Sequence, residues 1–161
     1  MENLDSLTPT RDECVMAAIP HILSFSLFLG PIVSVFIWVT QKEKSQYVAF
    51  HSLQAFVYQI SMILTWFLGM GCYMISFIAN MIFMFFLSSA ESANPPDVLF
   101  GLTFIIPFMV IGVILFCEFG FIVYGIFGAA MVFQGKPFRY IIFGKRLERY
   151  MQQKRNPAAN E

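Results

Sequence analysis

Two histidines, His21 and His51, and one acid inside a long apolar run, Glu118, are the side chains best suited to proton or metal chemistry. Imidazole titrates near neutrality and binds transition metals. A carboxyl group at membrane depth is a default candidate for a proton or substrate contact. Spacing adds little to either idea. No H-x-x-x-H or H-E-x-x-H pair occurs, so no metal site is expected. The chain has no Gly-rich phosphate loop and no nucleophile elbow. Cys14, Cys72 and Cys117 stand alone, with no C-x-x-C, and read as membrane-buried small hydrophobes. The expectation is a non-enzymatic protein with no catalytic residues, metal or cofactor. Glu118 keeps two readings: a functional contact within the membrane, or a turn or interfacial position.

The elements that must position these residues follow from composition. Of 161 residues, 58% are hydrophobic and 12% charged, against roughly 25% charged in a soluble domain. Too few charges remain to cover a surface facing water, so lipid must solvate much of it. The expected fold is all-α, a polytopic transmembrane helical bundle. Residues 1–13 form a polar leader without the basic n-region of a signal peptide. Residues 14–134 form the transmembrane helical domain. Residues 135–153 form a basic amphipathic interfacial segment, and residues 154–161 a disordered tail.

Three long apolar segments make up the transmembrane domain. The first, Cys14 to Thr40, is interrupted by Pro20 and by Gly30-Pro31, so a kinked or broken helix is expected. The second runs from Ser45 to about Ser89 without a charge, roughly 65 Å of helix against a hydrocarbon core of about 30 Å. Its polar residues Tyr47, His51, Gln54, Tyr58, Ser61, Thr65, Gly69, Cys72, Ser76 and Asn80 alternate spacings of four and three. That phase keeps them on one helix face, which favours one long helix over a hairpin at Gly69-Met70-Gly71. The stripe reads as a polar lining or as a helix–helix seam. Residues 88–97, with Asn94-Pro95-Pro96, read as a surface loop. The third segment, Val98 to Gln134, should kink at Pro107 and carries a Gly125/Ala129 pair that permits close helix approach. Three long kinked spans are expected, with four or five crossings as the alternative.

Charge sets the expected orientation. Lys136, Arg139, Lys145, Arg146 and Arg149 make the tail basic, and Lys42 and Lys44 mark the first connection. Lys and Arg favour the cytoplasmic side. A multi-pass protein of the plasma membrane follows, with its C-terminus cytoplasmic and its N-terminus outside. The tail pairs its cations with Tyr140, Phe143, Leu147, Tyr150 and Met151 at helical spacing. Such a segment lies on a membrane surface, and anionic lipid rather than nucleic acid is its expected partner.

Several motifs bear a family resemblance. The run Ala17-Ala18-Ile19-Pro20-His21 resembles an opening A-x-x-x-H helix. Pro31 through Trp38 to Lys42-Glu43-Lys44-Ser45 is similar to a P-x-x-x-W-x-x-x-K-x-S connection. Phe50-His51-Ser52-Leu53-Gln54-Ala55 looks like a hallmark F-H-x-x-Q-A element. Gly135-Lys136-Pro137-Phe138-Arg139-Tyr140 resembles a closing G-x-x-Y/F-R-Y-P element, with Ile141 in place of the final proline. Together, over roughly residues 14–150, they resemble a small prokaryotic membrane protein family of unknown function related to the chloroplast inner-envelope import component, the twenty-kilodalton translocon subunit. The resemblance marks His21, His51, Gln54, Arg139 and Tyr140 as motif residues. It implies a multi-helix membrane protein without established enzymatic activity and a link to protein translocation.

The expected function is that of an integral membrane protein, an accessory or structural subunit of a membrane or translocation complex. A membrane-protein partner or a second copy of the chain would be its associate. The alternative is a small-solute or ion transporter using Glu118, His51, Gln54 and Asn80. A membrane-embedded enzyme is the weakest reading, because no nucleophile–base spacing occurs.

Overall fold

The computed structural model describes residues 8–89 and 97–155. Most of the polar leader, most of the expected 88–97 loop and the tail beyond residue 155 lie outside the described residues. Among the described residues five α-helices follow one another: α1 (Arg11–Ile22), α2 (Leu29–Gln41), α3 (Gln46–Ser89), α4 (Asp97–Phe133) and α5 (Gly144–Arg155). A short 3-10 turn, Leu23–Phe25, separates α1 from α2. There is no strand among the described residues, as the all-α expectation has it.

The first apolar segment is broken rather than kinked, which is the second of the two expected forms. Thr10 caps α1: its hydroxyl accepts from the Glu13 backbone, and the Glu13 carboxylate accepts from the Thr10 N–H at 2.8 Å. Pro20 then removes a backbone donor, the helix tightens into the 3-10 turn, and Ser26 is extended. The chain doubles back. Gln59 Nε2 donates to the Pro20 carbonyl at 2.7 Å, and Gln59 Oε1 accepts from Ser34 Oγ at 2.9 Å. One amide of α3 therefore ties the end of α1 to the start of α2. At the opposite end, the Ser45 side chain lies beside Glu13 and helps to hold its carboxyl below the ordinary value. The two helices are antiparallel arms of a hairpin, of 12 and 13 residues. Each is about 20 Å long or less, too short to cross about 30 Å of hydrocarbon alone.

Among the described residues two helical stretches, Gln46–Ser89 and Ile105–Phe133, are long and apolar enough to cross a membrane. Two candidate spans thus replace the three expected. The difference arises because the breaks at Pro20 and Ser26 leave room for a full reversal rather than a kink.

The chain forms two compact units. Unit 1 holds the α1–α2 hairpin, α3 as far as Met62, α4 from Phe121, and α5. Here α3 and α4 run antiparallel, with Tyr47 donating to the Val132 carbonyl at 3.0 Å and Tyr58 to the Phe121 carbonyl at 2.7 Å. Ala17, Ala18, Val48, Val132, Phe138 and Tyr140 are core residues. Unit 2 is the remainder of the two long helices, residues 63–120. In it Gly69 faces Ile114, and Asn80 donates to the Thr103 carbonyl. Many of its apolar side chains are exposed, Phe116 at 79%.

The polar stripe of α3 is therefore a seam. Tyr47, Gln54, Tyr58 and Asn80 each donate to a backbone carbonyl of a following element. The helix is continuous through Gly69, which agrees with the phase of the stripe. Gly135, at φ +72°, closes α4. Its N–H bonds Val132 O and the Lys136 N–H bonds Met131 O, a left-handed glycine cap that no Cβ-bearing residue adopts readily. The chain then turns back towards α3.

Candidate functional site

The opening, middle and closing motifs converge in unit 1. Burial of the apolar faces of α1, α3 and α4 drives this, and Pro20 and Gly135 set the angles at which the chain re-enters. His21, near the end of α1, is fully buried. Its Nδ1 shares a 2.9 Å hydrogen bond with the hydroxyl of Tyr140, 119 residues away. The His51 ring lies 5.9 Å from the His21 ring, centre to centre, and 4.5 Å from that of Tyr47. Gln54, one turn on, donates to the Phe138 carbonyl at 3.4 Å.

Aromatic rings close the cluster. Tyr140 stacks on Tyr58 with centroids 4.0 Å apart and an interplanar angle of 5°. Phe138 meets Tyr140 edge-on at 4.9 Å. Two glycines of α4 make the approach possible. A Cβ on Gly128 would lie 2.6 Å from the Phe138 ring, and one on Gly125 would collide with Ser24. The small-residue pair that permits close approach is thus used, at Gly125, inside the chain.

Burial leaves polar atoms over. His21 Nε2, His51 Nδ1 and Gln54 Oε1 are buried without a hydrogen-bond partner. Whichever way the His21–Tyr140 proton lies, one imidazole nitrogen of His21 is unmatched. A cavity of about 10 Å³ touches His51, Tyr47, Phe138 and Arg139, about the size of one water. Among the described residues no three of His, Cys, Asp and Glu come together as a metal ligand set. Burial pushes the Tyr140 phenol well above its ordinary value, with Tyr58 and Tyr124 adding to it. It therefore stays protonated. The arrangement can hold fixed hydrogen bonds in a buried core.

Arg139 takes a different place from the one expected. Rather than facing lipid, its guanidinium makes a two-pronged pair with Glu148, at 2.8 and 3.1 Å. That pair ties α5 to the loop after α4. Lys136, Lys145, Arg146 and Arg149 are exposed. Glu118 belongs to unit 2, is 8% exposed and has one unpartnered carboxylate oxygen. The cluster is built without it. Residue type and spacing missed Gln59 and Ser34, because Gln59 lies off the polar stripe and Ser34 falls at an unspecified position between Pro31 and Trp38. The one available signal was the cost of an amide in an apolar helix, which demands a partner.

A family model for the magnetosome magnetite crystal formation protein family matches residues 12–147. No curated protein and no solved structure matches the chain. None of these comparisons links it to chloroplast import, so the translocation relationship implied by its motifs finds no support. The match takes in α1 through the first turn of α5, and with it every residue of the buried cluster: the chain belongs to the magnetosome magnetite crystal formation protein family.

Proposed function

We propose that this chain is a structural, non-enzymatic component of the membrane in which magnetite crystals form, and that it acts on crystal formation as part of a membrane assembly. The observation that carries this reading is the family match over residues 12–147. The apolar exterior of both units supports residence in lipid, with Phe28, Phe36, Phe108 and Phe116 all more than 60% exposed. The packing of His21, His51 and Gln54, each 1% exposed or less, supports a role in shape rather than chemistry. In this reading the α1–α2 hairpin enters and leaves on one side, and α3 and α4 cross. Both described ends then share the cytoplasmic face with Lys42 and Lys44.

Deletion of the gene in a magnetite-forming bacterium tests the proposal. Altered crystal size or number, restored by the intact gene, is expected by electron microscopy. Unchanged crystals, or a tagged protein absent from the purified magnetosome membrane, would sink it. Pull-down from mild detergent should recover a reproducible membrane-protein partner or a second copy.

A second reading, an ion or small-solute transporter, draws on the unpartnered oxygen of Glu118. Flux in reconstituted vesicles that Glu118→Gln abolishes would favour it. Absence of flux removes it.

A further inference from the structure

An open-sided groove of about 520 Å³ lies in unit 1, formed by the end of α2, the start of α3 and α5. Trp38, Leu53, Leu147, Tyr150 and Met151 wall it, and Lys42 lines it where α2 passes into α3. Leu53 is seven residues into α3 from Gln46, so the walls extend about 10 Å along that helix. The volume falls in the range of small-ligand pockets, roughly 300–1,000 Å³.

Charge identifies the occupant. Lys42, Lys44, Lys145, Arg146 and Arg149 are exposed and have no ion-pair partner among the described residues. Glu43 is the one acid lining the groove. The nearby Glu148 is committed to Arg139 at 2.8 Å. Trp38 and Tyr150 are amphipathic rings of the kind that settle at headgroup level. An apolar trough lined by the unpaired Lys42, with four further unpaired cations on α5 and in the α2–α3 connection, matches a molecule with a long apolar chain and an anionic head. The Arg139–Glu148 pair holds α5 in place, so the trough is part of the fold.

We propose that this groove binds a single anionic glycerophospholipid, with one acyl chain along α3 beneath α5 and the phosphate on Lys42, beside the basic face of α5. The inference does not depend on the role in magnetite formation.

Trp38 is a built-in reporter, because the chain has only one other tryptophan, Trp66. The full chain carrying Trp66→Phe would be reconstituted in phosphatidylcholine vesicles. These would contain equal fractions of either brominated phosphatidylglycerol or brominated phosphatidylcholine. Bound brominated chains quench Trp38. Several-fold stronger quenching by the anionic lipid is expected, with the preference lost in Lys42→Gln and retained in Lys136→Gln, whose cation does not line the groove. Equal quenching by both lipids overturns the proposal. A preference that both substitutions weaken alike also overturns it, since that marks diffuse surface attraction. Native mass spectrometry of the intact protein should show one retained anionic phospholipid. A co-purified peptide in its place would count against the lipid.

Discussion

At the scale of single residues, the protein rests on long-range hydrogen bonds between groups that apolar surroundings cannot otherwise satisfy. The hydroxyl of Tyr140 is matched to His21 Nδ1 in a fully buried setting. Tyr140→Phe keeps the stacking on Tyr58 but strands that nitrogen, and should cost about 1–3 kcal/mol. A lower melting temperature in detergent, with helix content unchanged, is the expected result. Glu13 supplies a pH dependence. Hydrogen bonds from the Ser45 side chain and then from the Thr10 backbone hold its carboxyl below its ordinary value. A depressed carboxyl contributes stability that is complete above its unfolded value and is lost as pH falls through the folded one. Melting temperature should therefore fall on acidification from ~pH 6 towards ~pH 3, more steeply than in Glu13→Gln.

At the scale of elements, close approach decides which glycines matter. Gly125 and Gly128 are pressed against Ser24 and Phe138, whereas Gly112 has open space where a Cβ would stand. Gly128→Leu should destabilise by about 1–3 kcal/mol or more through overpacking. Gly112→Ala should be neutral, or stabilise by no more than about 1 kcal/mol through helix propensity. Comparing the melting temperatures of the two variants checks this contrast. The attachment of α5 depends on a planar fork. Arg139→Lys keeps the charge but loses the two-pronged geometry with Glu148. Limited trypsin digestion should then cut within α5 several-fold faster than in the parent chain. Equal rates would show that Leu147 and its apolar neighbours hold α5 unaided.

At the scale of the whole molecule, the hairpin of α1 and α2 bears on the topology. A crossing by the first segment would put Thr10 and Lys44 on opposite faces, whereas Ser45 lies beside Glu13. Single cysteines at Thr10 and Lys44, in a chain lacking Cys14, Cys72 and Cys117, should react with an impermeant maleimide from the same side of sealed vesicles. Labelling from opposite sides would restore the three-span arrangement.

The all-helical class and its apolar exterior were legible from composition, because sparse charge and long apolar runs leave too few polar groups to cover a surface facing water. The sequence by itself also determined the unbroken course of α3, since the phase of Tyr47, His51, Gln54 and Tyr58 continues past Gly69. His21, His51, Gln54 and Tyr140 were legible as motif residues. That they form one cluster was not, because the 119 residues between His21 and Tyr140 are bridged by packing and by no local pattern. Only the tertiary structure decided that the first segment reverses, since Pro20 permits a kink and a reversal alike. What selects the reversal is Gln59, a single amide that satisfies Pro20 and Ser34 together. Only the tertiary structure, too, turned Arg139 from a lipid contact into the clasp of α5. The position of Glu148 relative to it depends on the turn after Tyr140.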